Sequence, residues 1–330
     1  MKKILALLLA VVMLCTLCAC GGDKKDDTKT PATLKFGLGV YVAGATVADA
    51  TADKAGSASM DATYAAVSLD ADGKIVAVVL DVMQHKLSYN ADGTTAANTE
   101  FKSKYEKMDA YNMKPASPID KEWYEQADAF KALVVGKTLA EVKALVAEGD
   151  KGVQAVIDAG CTMKIAEFVG AIEKACNNAV ASNVTANDTL KIAAVTAQSV
   201  SNATADKAGS NQVDTTIVAV AMNGDKVVAA SSDCLQVKFG FDVTGKSTFD
   251  TTDAKLLRTK KEKGDDYNMR PASPIGKEWY EQAAAFDTVC TGKTIAEIKA
   301  LLVEGKGNDE VVNAGCTMKI GDWIEVYSKF

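Results

Sequence analysis

His85 is the only histidine of the 330-residue chain, so a Ser-His-Asp or Cys-His device can occur at most once. A histidine-based metal site is disfavoured for the same reason. Beyond residue 20 the cysteines are Cys161, Cys176, Cys234, Cys290 and Cys316, with no CxxC pair and no Cys/His metal spacing. Acidic residues are plentiful, yet no pair stands out as an acid and base. The chain therefore reads as a binding or electron-carrying protein rather than an enzyme. The clearest chemical signal is Ala-Gly-Cys-Thr-Met just ahead of a helical stretch, once around Gly160, Cys161 and Thr162 and again around Gly315, Cys316 and Thr317. Glycine admits close backbone approach, threonine offers a hydroxyl, and amides at a helix start can hold phosphate or carboxylate. The same residues also suit a tight turn with Thr as N-cap.

A second signal is YNMKPASPIDKEWYEQA at 111–127, which returns as YNMRPASPIGKEWYEQA at 267–283 with two of seventeen positions changed. Tyr111, Asn112, Lys114, Trp123 and Tyr124, with Tyr267, Asn268, Arg270, Trp279 and Tyr280, could form an aromatic surface carrying one cation. That combination suits a planar anion such as an isoalloxazine ring with its phosphate. It is equally compatible with Trp in a core and PASP as a helix start.

The elements that must position these groups read as strands first and helices second. β-prone runs at 62–69 and 74–82 meet at Asp70-Ala71-Asp72-Gly73, a hairpin turn, and a further strand covers 84–89. Asn223-Gly224 makes the corresponding turn later. Ser117-Pro118 looks like an N-cap and first helical residue, and Gly136 ends that helix. Thr138 and Glu141 form a capping box for a second helix, repeated at Thr294 and Glu297. Ile165, Phe168, Val169 and Ile172 stripe a third. The expected fold class is α+β, each copy a small mostly antiparallel sheet with packed helices.

The repeated phrases keep their order, ATADKAGS at 50–57 and 203–210 among them. A period of about 155 residues is too long for a solenoid unit, so each copy is expected to be a domain. The expected division is a leader at 1–19, a tether at 20–31, repeat 1 at 32–176, a linker at 177–189 and repeat 2 at 190–330.

The amino end is Met1-Lys2-Lys3 followed by an apolar run to Leu17, a secretory pattern too short to span a bilayer. Leu17-Cys18-Ala19-Cys20-Gly21 resembles the lipobox of bacterial lipoproteins. The resemblance implies cleavage before Cys20, acyl chains of the palmitate kind on it, and an extracytoplasmic protein anchored to the cell membrane. The charged stretch 21–31 cannot bury enough surface to fold and reads as a tether. The net charge of −6 falls to about −8 once Lys2 and Lys3 leave, and no basic cluster exists, which argues against nucleic-acid binding.

The hairpin with Asp-Gly-Lys-Ile-Val at 72–76, the later Gly-Lys-Thr, and Gly-x-Thr before a last amphipathic helix resemble the FMN-binding domain family. That family includes flavin-carrying surface lipoproteins and periplasmic subunits of ion-pumping redox complexes. Its hallmark is Asp, two residues on a Ser, then Gly-Ala-Thr and a Ser or Thr, with FMN attached through phosphate to the Thr in many members. Laid on this chain, the Thr falls on Thr162 and Thr317 and the Gly on Gly160 and Gly315. The Asp position holds Val156 and Val311, the Ser position Ala159 and Ala314, the Ala position Cys161 and Cys316. The resemblance thus implies FMN held without a covalent bond, a small-molecule ligand and a redox partner in the membrane. Two other readings stay open: a lipoprotein binding a non-redox small molecule or wall component, and a structural or interaction module.

Overall fold

Apolar residues run almost unbroken through the middle of the long strands, such as IVAVVL at 75–80 and IVAVAM at 217–222, so both faces of each sheet are apolar there. The computed structural model describes residues 32–98 and 100–330. Cys20, the leader and the tether lie outside the described residues.

In the first repeat β1 (Lys35–Tyr41) and β2 (Ala45–Ala48) both pair antiparallel with β3 (Gly56–Leu69), whose other edge carries β4 (Ile75–Tyr89). The strand expected to break between residues 82 and 84 runs on, because Met83 and Gln84 keep register with Ala62 and Asp61. Next come α1 (Lys104–Lys107), α2 (Trp123–Val134), α3 (Leu139–Lys143), α4 (Gln154–Asp158) and α5 (Ala166–Asn177). The short strand β5 (Val180–Ala181) follows and pairs with β1. The second repeat gives β6 (Thr189–Ser201), β7 (Gly209–Asn223) and β8 (Lys226–Phe241) as an antiparallel meander. α6 (Lys260–Lys263), α7 (Trp279–Cys290), α8 (Ile295–Lys299), the two-residue strands β9 (Leu302–Val303) and β10 (Lys306–Gly307), α9 (Asp309–Ala314) and α10 (Gly321–Tyr327) complete it. The fold is α+β.

One face of each sheet packs on its own helices. Val67, Leu69, Leu80 and Val82 meet Phe130, Phe168 and Ile172; Val218 and Val220 meet Phe286, Trp323 and Tyr327. The opposite faces form a single apolar cluster drawn from both repeats, with Phe36, Met60, Met83 and Leu87 from one and Ile217, Leu235, Phe239 and Phe241 from the other. Each large side chain buried there contributes roughly 1.5–3 kcal/mol. The layers therefore run helix, sheet, sheet, helix, and residues 32–330 form one compact unit.

The contacts across the middle are reciprocal. Ala50 N–H donates to the Gly245 carbonyl at 2.8 Å, and Ala203 N–H donates to the Gly93 carbonyl at 2.8 Å. Tyr89 stacks on Phe241, its counterpart in the other copy, with ring centroids 4.7 Å apart. These contacts account for the repeated ATADKAGS phrase. A side chain at Gly56 would meet the Tyr89 ring at 2.3 Å, and one at Gly209 would meet Phe241 at 2.3 Å. The segment 177–189, expected as a linker, holds β5 and the fully buried Val184, whose carbonyl accepts from Leu34 N–H at 2.7 Å.

Helix starts follow local chemistry. The Thr138–Glu141 and Thr294–Glu297 capping boxes form where expected. The helix expected from Ser117 begins instead at Trp123, because Lys114–Ala116, with Pro115 inside it, is a 3₁₀ turn and Ser117 is spent bracing the loop. Gly315 ends α9 in the left-handed region.

Candidate functional site

The Gly-Cys-Thr turns are latches. Gly160 sits at φ +100°, and its amide donates to the Ile157 carbonyl while that of Cys161 donates to Val156. The Thr162 amide and hydroxyl both donate to Gln126 Oε1, at 2.9 and 3.1 Å. Gln126 is buried on α2, and its Nε2 donates to Ser117 Oγ at 2.9 Å and more weakly to the Lys121 carbonyl. Thr317, Gln282 and Ser273 repeat the arrangement with the same distances from Thr317 to Gln282 Oε1. α5 starts only at Ala166, with Ile165 as its N-cap, so Thr162 is not the cap. All three amides of the first turn thus have acceptors inside the protein. Cys161 and Cys316 are fully buried, and desolvation raises both thiols above the usual range.

The seventeen-residue phrase is bound up in the same network and divides between two hollows. Met113 N–H and Lys114 N–H donate to the buried Glu122 carboxylate at 2.9 and 3.0 Å. Burial pushes that carboxyl up, and the N–H groups of Lys114 and Met113 more than offset it, leaving it below the usual range. Asn112, Lys114 and Tyr124 line an open acidic hollow with Asp109, Asp120 and Glu125. Asn112 and Asn268 both hold the left-handed conformation at φ +59°. The Tyr124 hydroxyl donates to Asp109 and that of Tyr280 to Asp265. The two positions that differ between copies touch each other in both. Lys114 faces Asp120 at 3.9 Å, whereas Arg270 donates to the Gly276 carbonyl at 2.9 Å.

Tyr111 and Trp123 open instead on a cleft of about 360 Å³ at the amino end of α5. Its walls include Tyr41, Met113, Met163 and Phe168. Trp123 meets Tyr105 and Phe168 edge-on, at 5.5 and 5.8 Å between centroids. Lys104 enters from α1, its Nζ 5.2 Å from the Tyr111 ring centre and 5.7 Å from that of Trp123. It also pairs with Asp61 at 3.3 Å. Thr63 donates to Glu167 at 3.2 Å, and burial raises the Glu167 carboxyl above the usual range. In the second repeat Lys260 stands over Tyr267 and Trp279 at the same 5.2 and 5.7 Å and pairs with Asp214 at 3.6 Å. There Trp323 replaces Phe168 and stacks on Trp279 at 5.6 Å, so the bulkier ring occupies the wall.

No family model matches the chain, and no solved structure matches it. A chlorophenol reductase of Desulfitobacterium hafniense is 46% identical over 41 residues, which is 12% of this chain and 12% of that protein. The chain thus spans about an eighth of the relative's length in that match.

The structure brings Tyr111 and Trp123 together, leaves Gly160, Cys161 and Thr162 off the cleft wall, and adds groups that the sequence reading did not single out. Those are Lys104, Asp61 and Glu167. Their signal was recurrence: Lys260 and Asp214 hold the matching places in the second copy, and Asp322 keeps the acid of Glu167. Among the described residues no three His, Cys, Asp or Glu side chains gather as they would round a metal ion, and no helix is long and apolar enough to cross a membrane.

Proposed function

We propose that this is a lipid-anchored extracytoplasmic binding protein whose first repeat takes a flavin-class ring in the cleft beside Lys104, for electron transfer with a partner at the membrane. The observation that carries the reading is one cation set against two aromatic rings in a cleft walled by Tyr41, Met113 and Met163. Such walls suit a flat, polarisable ring, and the carboxylates of Asp61 and Glu167 can accept from its N–H edge. Gly160, Cys161 and Thr162 are not assigned to the phosphate, because their amides already have acceptors. Binding is accordingly non-covalent, and riboflavin should bind within about threefold of FMN, since the phosphate adds little. Titrating the full chain with each, following flavin fluorescence, tests this. Lys104→Met should weaken both together. Absence of any flavin binding by folded protein overturns the reading.

The acid content of the cleft supports a second reading. Asp61, Asp150 and Glu167 outnumber Lys104 and Lys164 on its lining, which favours a neutral or cationic non-redox ligand over an anion. Binding of a planar cation in preference to FMN would decide for it.

A further inference from the structure

In the second repeat the chain fills one of its own hollows with a guanidinium. Arg270 Nη1 donates to the Gly276 carbonyl at 2.9 Å, and Nη2 lies 3.0 Å from the Glu281 carboxylate and 3.3 Å from that of Asp265. Nε stands 3.9 Å from the buried Glu278. Each of the three nitrogens thus faces an acceptor, as the planar fork of arginine allows.

The first repeat keeps the acceptors and lacks the guanidinium. Asp109, Glu122 and Glu125 hold the places of Asp265, Glu278 and Glu281. The turn that presents the carbonyl is kept as well. Asp120 N–H donates to the Ser117 carbonyl at 3.2 Å and Gly276 N–H to that of Ser273 at 3.1 Å, with φ of +54° and +61°. Lys114, in the place of Arg270, turns instead to the carboxylate that Asp120 adds, 3.9 Å away on an exposed side chain. Among the described residues no lysine or arginine then pairs with Asp109 or Glu125, the two carboxylates that Nη2 bridges in the other copy. Asp109 is exposed, Glu125 is half-buried, and both line an open hollow of about 550 Å³. Four carboxylates share that hollow with one lysine. They do not gather as they would round a metal ion, and their counterparts are spaced for a guanidinium. The two exchanged positions open the hollow, while the kept ones shape it.

We propose that the hollow beside Tyr124 binds a guanidinium group, from an arginine side chain or a small guanidino compound, in the place that Arg270 fills in the second repeat. The site shares no lining residue with the Lys104 cleft and stands or falls without it.

The test is NMR titration of the full chain with Nα-acetyl-L-arginine amide and with methylguanidine, following backbone amides. Ion pairs this exposed are individually weak, so residues 109–125 should shift only in the millimolar range, below about 20 mM. Residues 265–281, whose guanidinium is in place, should not shift. The matching lysine amide should bind at least about threefold more weakly, since an ammonium lacks the fork. Tighter binding of the arginine amide than of methylguanidine assigns the site to an arginine side chain; the reverse or equality assigns it to a small compound. Lys114→Arg should seat the chain's own guanidinium there and lower the affinity at least about tenfold. Arg270→Ala should vacate the second hollow, so that residues 265–281 shift too. No shift of 109–125 with either compound, equal binding of the lysine amide, or undiminished binding to Lys114→Arg overturns the proposal. The first two outcomes are read on the unaltered protein and do not depend on either variant folding.

Discussion

At the seam of the first repeat, Val79, Leu80 and Tyr105 surround a lysine bonded to Tyr105 and Asp128; at the seam of the second, Ser231, Ser232 and Lys261 surround a buried aspartate that accepts from Ser232 N–H. The latch between the Gly-Cys-Thr turn and the buried glutamine differs by no more than about a tenth of an ångström between the same two repeats. Duplication has therefore kept what holds each half together and released what faces the grooves. Phrases that repeat best need not be where ligands sit. Here they are where polar atoms are buried and must find partners.

Three experiments sharpen or break this comparison. The largest effect should come from parting the repeats. Residues 32–182 or 183–330 expressed alone would expose one wall of the common core, including Phe36 and Met60 or Phe239 and Phe241. Neither piece should melt cooperatively by circular dichroism, and mixing should restore a transition. Two independently cooperative pieces would mean that each sheet closes on its own helices and the middle layer is incidental.

The latch comes next. Gln126→Leu should cost roughly 3 kcal/mol, because the Thr162 amide and hydroxyl and Ser117 lose their partner inside the protein. Gln282→Leu should cost the same within about 1 kcal/mol, as expected for one device used twice. Thr162→Val removes a single hydroxyl and should cost about 1 kcal/mol. Urea denaturation of the three variants checks the series. A large inequality between the glutamines would show that the repeats have diverged in support as well as in surface.

The last effect separates the repeats by pH, and at neutral pH it vanishes. His85 is fully buried on the inner face of β4, with Nε2 2.8 Å from Thr215 Oγ1 of the second repeat and Nδ1 unpartnered. Burial lowers its pKa from 6.5 to about 4, against a smaller opposing pull from Asp61. The unfolded chain takes a proton near pH 6.5, which the fold refuses until about pH 4. This group's penalty is therefore absent above pH 6.5 and grows as pH falls, reaching up to roughly 3 kcal/mol. Val237 holds the matching place in the second repeat. His85→Val should leave Thr196 and Thr215 bonded at 2.9 Å and flatten the stability profile between pH 6.5 and 4. An unchanged slope there would assign the acid sensitivity elsewhere.

Local signals in the sequence were reliable where a few neighbouring residues settle the matter. The hairpin turn after Leu69, the capping boxes at Thr138 and Thr294, and the stripe on α5 all have their chemistry within four or so residues. β1 escaped notice because KFGLGVY interrupts its apolar residues with glycine. The common core was not legible because an apolar strand face does not say which layer covers it. The same limit governed the cleft. Tyr111 and Trp123 could be named together, but Lys104 meets Asp61 across 43 residues of sequence, and Gln126 reaches Thr162 across 36. Pairings at that range depend on how α2 and α5 lie on the sheet, which periodicity leaves open.

The shared middle layer also sets a timetable. Synthesis delivers β3 and β4 well before β7 and β8, so the inner face of the first sheet waits, uncovered, while some 150 further residues are made. During that interval a strip carrying Met60, Met83 and Leu87 is open to any apolar surface nearby, including the same strip on another nascent chain. Contacts that close only across such distances in sequence form slowly. Refolding of the chain should therefore slow and lose yield as protein concentration rises, with exchange of second halves between molecules as its characteristic error.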